Sequence, residues 1–377
     1  MRRLLIVVVS TLTAAAAGAA PAGAAQVAGQ AIPGQYVVVM KDGSSTGPRT
    51  LVNRVGAEPV AVYREALTGF AAKLDAEQLA RVQRSSAVVS VEQDRVYTVS
   101  ATQNMDANGD PWGIDRIDQR ARPLSRTYTY NNTASNVTAY VIDTGINTTP
   151  FGGRATNVYD AFGGNGADCH GHGTHVAGTI GHSFWGVAKS VRLRGVRVLN
   201  CSGSGSTSGI VAALNWLRTN AQKPAVANMS LGGGFSSSLN TAANNLANSG
   251  VFLAVAAGNE SQNACNVSPA SAAAAYTTAA SDRNDRRASF SNFGSCVDGY
   301  APGVAIKSVW LGSATNTISG TSMASPHVAG VAALYKGANG DAASSTISSW
   351  INTNATANVI TANPTGTPNR LLYKAGL

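Results

Sequence analysis

The sequence predicts an α/β fold with a doubly wound, mostly parallel sheet flanked by helices, preceded by a small α+β domain. From Trp112 onward, short apolar runs alternate with segments of helical periodicity, the pattern typical of a parallel sheet covered on both faces. Residues 26–100 differ, because they contain no Cys, His or Trp and carry 15 of the 47 charged residues. Hydrophobic residues make up 44 % of the chain and charged residues only 12 %, which excludes a coiled coil and a highly charged disordered chain.

The first 25 residues have the pattern of a secretory signal. Arg2 and Arg3 precede an apolar run at residues 4–9, and a stretch of small residues ends at Ala25. A membrane anchor would need about 20 uninterrupted apolar residues, but Ser10, Thr11, Thr13 and Pro21 follow this short run. We therefore expect a secreted, extracellular protein that does not act at a membrane.

Residues 26–100 read as a compact domain of their own. Residues 35–40 predict a strand, residues 74–83 an amphipathic helix with Leu74, Leu79 and Val82 inward, and residues 88–91 and 96–99 further strands. The polar stretch at residues 102–110 predicts an exposed linker that a protease could cut.

The second part contains four predicted strands and three predicted helices in alternation. The strands are at residues 137–142, 191–199, 226–229 and 251–256, and the helices at residues 175–181, 209–219 and 239–248. In doubly wound sheets the functional site lies beyond the carboxyl ends of the strands.

Four polar residues fall at such positions. Asp143 follows a strand, His175 lies at the start of a predicted helix, Asn259 ends another strand, and Ser322 opens a helix. Singly, each has an ordinary explanation as a turn former or helix cap. The three imidazoles of His170, His172 and His175 could also bind zinc, but the motif contains no carboxylate of the kind that zinc hydrolases use.

In the order Asp, His, Asn, Ser, these motifs resemble the subtilisin-like serine proteases, in the branch of proteinase K and aqualysin. The resemblance covers about residues 112–373, and residues 26–100 resemble the inhibitory propeptide of that family. It implies a signal peptide at 1–25, an inhibitory propeptide domain at 26–100 and a subtilisin-like peptidase domain at 101–377, with maturation between Ser100 and Ala101. The matching stretches are Tyr140-Val-Ile-Asp-Thr-Gly145, His172-Gly-Thr-His-Val-Ala-Gly178, Asn228-Met-Ser-Leu-Gly-Gly-Gly234, Ala256-Ala-Gly-Asn259 and Gly320-Thr-Ser-Met-Ala-Ser-Pro-His-Val-Ala-Gly330.

The resemblance also implies catalytic roles. Ser322 would attack the peptide carbonyl, His175 would act as general base and then general acid, and Asp143 would orient the imidazole. Asn259 and the Ser322 amide would form the oxyanion hole.

Substrate binding is implied by the same resemblance. Two segments would pair with an extended peptide, and small residues would line a roomy, uncharged pocket, so we expect broad cleavage after apolar or aromatic residues. The substrate-binding residues would be Gly203, Ser204, Gly205, Ser230, Leu231, Gly232, Gly233, Ala256, Ala257 and Gly258.

The residues alone allow three pairings of the four cysteines in an exported chain. The resemblance implies the disulfides Cys169–Cys201 and Cys265–Cys296. It also implies structural calcium, which suits hard oxygen ligands. One site would use Asp298 with the carbonyls of Ala273 and Ala275, and a second would use Asp115, Asp118 and Gln119, with Ser125 and Thr127 nearby. Asp115 and Asp118 could instead only cap a turn.

The net charge of +9 raises the question of nucleic-acid binding, but no basic stripe with interleaved aromatic residues occurs. The expected partners are protein and peptide substrates and the chain's own propeptide as inhibitor, with a monomer as the expected state and no nucleic acid. Two alternatives remain: a non-catalytic relative that binds peptides, and a metal-dependent hydrolase that uses the cluster of His170, His172 and His175.

Overall fold

The computed structural model describes residues 31–64, 68–95 and 101–377. The predicted signal peptide and the strand predicted at residues 96–99 lie outside the described residues, as does Ser100 at the predicted maturation point. Within the described part, a small α+β unit comes first and a large α/β unit follows. This arrangement confirms the predicted fold class.

The first unit contains an antiparallel sheet and two helices around one apolar core. Its elements are β1 (Ala31–Met40), α1 (Pro48–Arg54), β2 (Pro59–Tyr63), β3 (Gly69–Lys73), α2 (Ala76–Gln83) and β4 (Val88–Arg95). The strand order is β2-β3-β1-β4. Helix α2 begins two residues later than predicted because Asp75 caps it and forms a reciprocal capping box with Gln78. The prediction missed β2, β3 and α1.

The polar stretch after Ala101 is not the exposed linker that the sequence predicts. Strand β5 (Ala101–Asn104) pairs antiparallel with β6 (Thr127–Tyr130), helix α3 (Trp112–Arg116) lies between them in the chain, and Met105 is buried. Polar side chains suit an edge strand, since one of its faces meets water while its backbone is paired. The prediction was right that part of the stretch is exposed, at Thr102, Asn104, Ala107 and Asn108. It was wrong that the stretch is a linker, because polar composition alone does not reveal the pairing of β5 with β6.

The second unit is built on a nine-stranded sheet that is parallel except at one edge. Its strands, in spatial order, are β18 (Thr356–Ala357), β19 (Arg370–Leu371), β15 (Gly299–Pro302), β14 (Tyr276–Ser281), β12 (Phe252–Ala256), β10 (Ala225–Met229), β7 (Thr138–Asp143), β9 (Arg192–Arg197) and β8 (Ala155–Asp160). Two small antiparallel pairs join β11 (Gly233–Gly234) to β13 (Val267–Ser268) and β16 (Ile306–Val309) to β17 (Thr315–Ile318).

Helices cover both faces of this sheet. They are α4 (His172–Gly181), α5 (Thr207–Asn220), α6 (Ser237–Asn248), α7 (Thr321–Asn339) and α8 (Ser344–Asn354). Strand β7 shows why helices must pack on both faces of the sheet. Ala139 and Val141 belong to the apolar core that includes α4 and α7, whereas Tyr140 and Ile142 belong to the opposite core, which includes α5 and α6. Since successive strand residues point to opposite faces, a continuous apolar run must be buried on both sides.

The strand order reverses direction at β7. From β7 the chain continues to β8 and β9 on one side, and later strands from β10 onward lie on the other. Such a switch point leaves a crevice beyond the carboxyl ends of the central strands. Asp143, the last residue of β7, is at this crevice, as are the segments that follow β9, β10 and β12.

Candidate active site

The imidazole that contacts Asp143 belongs to His172. Its Nδ1 lies 2.8 Å from Asp143 Oδ1, and the same oxygen accepts a hydrogen bond of 2.7 Å from the Thr144 amide. Asp143 is fully buried, while the His172 side chain is 20 % exposed, so one ring edge faces the carboxylate and the imidazole still reaches solvent. Burial lowers the pKa of His172, but the negative charges of Asp143 and Asp168 outweigh burial and leave the pKa raised.

His175, which the sequence predicts as the general base, lies elsewhere. It is fully buried, its Nε2 points to the carbonyl oxygens of Ile306 (3.0 Å) and Asn316 (3.2 Å), and its ring meets the edge of Trp310. Burial lowers the pKa of His175 to about 4. The structure therefore contradicts this assignment: the β16–β17 pair covers His175, which is one helical turn away from the contact with Asp143.

The error came from the predicted start of α4. The prediction begins the helix at residue 175, but α4 begins at His172, directly after Gly171, whose φ of +106° favours glycine. The rule that was applied to Ser322, a functional side chain in the first turn of a helix at the sheet edge, would have selected His172.

Ser322 is the second residue of α7 and adjoins Ser230, which follows β10. The Ser322 hydroxyl donates to the Ser230 carbonyl (3.2 Å), and the Ser230 hydroxyl donates to the Ser322 carbonyl (2.7 Å). Farther along α7, Ser325 donates to the side chain of Asn228 (2.6 Å). These contacts fix the start of α7 against the end of β10, with the Ser322 side chain at the crevice.

Asn259 is oriented by the residue before Ser322. Its Oδ1 accepts hydrogen bonds from the amide and the hydroxyl of Thr321, both 2.9 Å. A Cβ built on Gly320 would lie 3.6 Å from both Asn259 Nδ2 and the Ser322 amide nitrogen, so these two nitrogens border the same space. Two donors that meet at one point can stabilise a developing oxyanion.

A cavity of about 540 Å³ lies beside His172 and Ser230. Most of the predicted substrate-binding residues line it, namely Gly203, Ser204, Gly205, Ser230, Leu231, Gly232 and Gly233. The described lining of this cavity does not include Ala256, Ala257 or Gly258. Ala256 and Ala257 are buried, and the Gly258 amide donates to the Thr321 hydroxyl (3.1 Å), so these residues lie near Ser322 but outside this cavity.

One carboxylate lies beside the predicted pocket wall. Glu260 Oε2 accepts a hydrogen bond from Asn292 Nδ2 (2.7 Å) and lies 2.7 Å from the position that a Cβ on Gly258 would take. The sequence predicts an uncharged wall here, and Glu260 is not among the predicted substrate-binding residues. A carboxylate fixed there would favour a cation at the rim.

The structure contains the two disulfides that the resemblance implies. Cys169–Cys201 joins the segment before α4 to the segment after β9, and Cys265–Cys296 joins two loops beyond β12 and β14. The first bridge therefore connects the loop that precedes His172 to the predicted substrate-binding edge at Gly203. Cross-links of this kind stabilise mainly by restricting the unfolded chain.

The two predicted calcium clusters are assembled to different degrees. Asp298, Ala273 and Ala275 line one cavity, and burial raises the pKa of Asp298 to about 6. In the second cluster, both oxygens of Asp115 accept hydrogen bonds from Ser125 and Arg126. Asp118 there also forms an ion pair with Lys374 at 2.9 Å.

The histidine cluster does not form a zinc site in this fold. His172 and His175 face different partners, and the centroids of His170 and His172 are 6.3 Å apart. Within residues 31–64, 68–95 and 101–377, no three His, Cys, Asp or Glu side chains are grouped so as to bind a metal ion. No helix in that same part of the chain is long and apolar enough to cross a bilayer.

Comparison with known proteins agrees with this geometry. Residues 134–373 match the Subtilase family, and residues 35–100 match the peptidase inhibitor I9 family. The chain is 45 % identical to an extracellular serine proteinase of a Thermus strain, over 91 % of this chain and 90 % of that protein. It is 50 % identical to alkaline serine exoprotease A of Vibrio alginolyticus over 83 % of this chain, but it spans only 59 % of the length of that relative.

A solved structure shows the same fold. The crystal structure of a cold-adapted subtilisin-like serine proteinase superposes with a TM-score of 0.68 at 51 % sequence identity, covering 70 % of this chain and 97 % of that one. The family match covers more than half of the chain and includes Asp143, His172, Asn259 and Ser322. The chain therefore belongs to the subtilase family of serine proteases, and it carries an I9-type inhibitor domain ahead of the peptidase domain.

Proposed function

We propose that the protein is a secreted endopeptidase in which Ser322 is the nucleophile, His172 the general base and Asp143 the residue that orients the imidazole. The observation that carries this assignment is the 2.8 Å contact between His172 Nδ1 and Asp143 Oδ1 at the end of β7. With Nδ1 donating to the carboxylate, Nε2 is the basic nitrogen. A non-catalytic peptide-binding role is not favoured, since every group of the mechanism is present.

The reaction follows from these positions. The Ser322 hydroxyl turns from the Ser230 carbonyl to His172 Nε2 and attacks the peptide carbonyl while the imidazole takes its proton. Asn259 Nδ2 and the Ser322 amide donate to the oxyanion, and the imidazolium then protonates the leaving amine. Water attacks the acyl-enzyme by the same route in reverse. Hydrogen bonds between catalytic groups are often long before substrate binds, which agrees with the resting contact of Ser322 to Ser230.

Substrate would bind as an added strand between two exposed edges. Residues 203–205 and 230–232 line the same cavity, and main-chain pairing at such edges gives affinity without strong sequence preference. Glycine and alanine around the pocket favour broad cleavage after apolar or aromatic residues. The carboxylate of Glu260 would also allow cleavage after basic residues, as a weaker second preference.

The inhibitory propeptide, residues 26–100, would be removed by the enzyme itself between Ser100 and Ala101. We expect the secreted wild-type precursor to be cut there and the Ser322→Ala precursor to remain at full mass after signal removal, because only the wild type has a nucleophile. Intact-mass spectrometry of both proteins, expressed under oxidising conditions, measures this difference. Mapping the bonds that purified wild type cuts in casein then tests the substrate preference.

Equal cutting of wild type and Ser322→Ala would show that another protease matures the chain. Loss of casein hydrolysis in matured wild type would contradict the enzymatic proposal itself. A map restricted to bonds after Lys or Arg would contradict the proposed broad preference, and would leave the catalytic assignment intact.

Structural calcium fits the first of the two clusters well. Only Oδ2 of Asp298 accepts a hydrogen bond among the described residues, from the Thr277 amide (2.7 Å). A buried carboxylate with one such partner leaves oxygen lone pairs for calcium, and the carbonyls of Ala273 and Ala275, which line the same cavity, would supply the further oxygen ligands. The donor set of Asp115, Asp118, Gln119, Ser125 and Thr127 also consists of oxygens, although Lys374 already neutralises part of its charge. Calcium there would stabilise the fold and take no part in the chemistry.

Calcium should raise the melting temperature of the matured protein, and Asp298→Asn should remove part of that rise. A ligand that binds only the folded state contributes about 2.7 kcal/mol at a concentration 100 times its Kd. Scanning calorimetry of wild type, Asp298→Asn and Asp115→Asn, each in calcium and in chelator, separates the two clusters. A calcium response that is unchanged in Asp298→Asn would contradict the assignment of the first cluster.

A further inference from the structure

Asp168 lies just before α4 and is almost completely enclosed by hydrogen-bond donors. Its side chain accepts five hydrogen bonds: from the amides of His170, Gly171 and Thr174, each 2.9 Å, and from the hydroxyls of Thr144 (2.9 Å) and Thr174 (2.5 Å). The residue is 9 % exposed. A carboxylate with this many donors holds the segment before α4 against Thr174 in the first turn of the helix.

These hydrogen bonds join two elements that carry catalytic groups. Thr144 follows Asp143 in the chain, and its hydroxyl donates to Asp168 while accepting a hydrogen bond from the Gly173 amide (2.9 Å). Gly173 in turn follows His172. A Cβ on Gly173 would overlap the carbonyl oxygen of Gly145, so the backbones are in close contact there. Asp168 and Thr144 therefore form a cross-connection directly beside the contact of Asp143 with His172.

The position of His172 at the first residue of α4 has an electrostatic consequence. A helix N-terminus carries a partial positive charge, which disfavours an imidazolium at that end. The ten-residue α4 has this orientation, and the mechanism requires His172 to become positively charged. Asp168 accepts hydrogen bonds from the Thr174 amide of the first turn and from the His170 and Gly171 amides just before it, so its negative charge offsets the positive end of the helix.

Several charged and titratable groups lie on the elements that pack against α4. Only Asp143 and Asp168 among them raise the pKa of His172. The groups are Tyr140 and Asp143 on β7, Arg192, Arg194 and Arg197 on β9, Lys307 on β16, His327, Tyr335 and Lys336 on α7, His175 on α4, and Asp168 and His170 just before α4.

We propose that Asp168 is a positioning residue that fixes the His172 imidazole against Asp143 and supplies a second negative charge that stabilises the imidazolium. This inference rests on the proposed function of His172. It assigns Asp168 no contact with substrate. Asp168 acts on the His172 imidazole in two ways: through its hydrogen bonds to the first turn of α4, and through the electrostatic field of its carboxylate.

The test compares Asp168→Asn, which keeps the shape and removes the charge, with Thr144→Val, which keeps the charge and removes the cross-connection. Asp160→Asn is the matched control, since Asp160 is also a bonded carboxylate in the segment before α4 but does not act on the pKa of His172. The measurements are kcat, KM and the pH profile of kcat/KM on the matured enzymes. NMR titration of His172 in full-length Ser322→Ala protein, with and without Asp168→Asn, reads the pKa where no turnover occurs.

We expect Asp168→Asn to lower kcat by about 10- to 100-fold, with KM nearly unchanged. The neutral imidazole is the base, so activity rises as the pH passes its pKa. Removing a charge that raises this pKa therefore moves the acid limb to lower pH, by about 0.5 to 1 unit. Thr144→Val should lower kcat without moving the limb, and Asp160→Asn should leave the limb where it is.

An unmoved acid limb and an unmoved NMR pKa in Asp168→Asn would overturn the proposal, as would an equal shift in Asp160→Asn. If Asp168→Asn fails to fold, Thr144→Val still tests the claim that Asp168 positions His172. An unaltered kcat in that variant overturns this claim. Failure of the underlying assignment gives a different result, because His172→Ala would then remain active.

Discussion

Replacing His172 by alanine should abolish peptide hydrolysis, whereas replacing His175 by alanine should mainly lower stability. His172 is the imidazole in contact with Asp143, and loss of the triad histidine in this family costs about 10⁶-fold in kcat. His175 is buried between the carbonyls of Ile306 and Asn316. Its removal leaves a cavity and unpaired carbonyls, which costs about 2–4 kcal/mol of folding free energy.

The two alanine variants control for each other, because they remove the same side chain three residues apart on one helix. Intact mass gives a first readout: the His172→Ala precursor should stay uncut, and the folded fraction of His175→Ala should process itself. Hydrolysis rates per folded molecule and melting temperatures complete the comparison. Activity in His172→Ala, together with an inactive but folded His175→Ala, would restore the assignment made from the sequence.

Asp143→Asn should lower kcat by about 10⁴-fold at neutral pH, the loss seen when a triad aspartate becomes an amide. Oδ1 of Asp143 accepts from both the Thr144 amide and His172 Nδ1, and the buried Oδ2 has no hydrogen-bond partner among the described residues. An asparagine that keeps its oxygen on these donors places an unpaired NH₂ at the Oδ2 position. The flipped amide instead opposes the Thr144 N–H and forces the wrong tautomer on His172.

The pH profile gives this prediction a second readout. The charge of Asp143 helps to raise the pKa of His172, so the residual activity of Asp143→Asn should persist to lower pH than that of wild type. Steady-state kinetics across pH measure both effects. Asp160→Asn is the control, because it makes the same substitution at another aspartate whose side chain is buried. A loss of less than 10-fold in Asp143→Asn would contradict the proposed role.

Local pattern was sufficient for most of the architecture. The runs that became β7, β9, β10 and β12 were placed to within three residues. Strands β7, β10 and β12 are buried at every position, and a strand buried on both faces reads as a mainly apolar run. Strand β9 was found although three arginines interrupt it, because its Leu193 and Val196 are buried. The strands β2 and β3 of the first unit were missed, since their small and mixed residues carry no clear alternation. Pairing with β1, which is distant in sequence, is what makes these segments strands.

The candidate site divides in the same way. Asp143, Asn259 and Ser322 each follow a strand or open a helix, and a topological rule brings such ends to one edge. No motif or periodicity near Asp168 or Glu260 in the sequence indicates the role proposed for either residue. Asp168 matters because five donors from two elements converge on it, and Glu260 because Asn292, 32 positions away, fixes its carboxylate beside Gly258.

By itself the sequence determined the α/β class, the division at about residue 100 and the chain order of an aspartate, a histidine motif, an asparagine and a serine. Only the tertiary structure decided which histidine of the motif contacts Asp143. Within six residues, His170, His172 and His175 differ little in local surroundings, and a boundary error of three residues in α4 exchanges two of them. The choice depends on long-range contacts: β7 brings Asp143 to His172, and the β16–β17 pair encloses His175. Burial and hydrogen-bond partners, which no local pattern encodes, distinguish the histidine beside Asp143 from the histidine of the core.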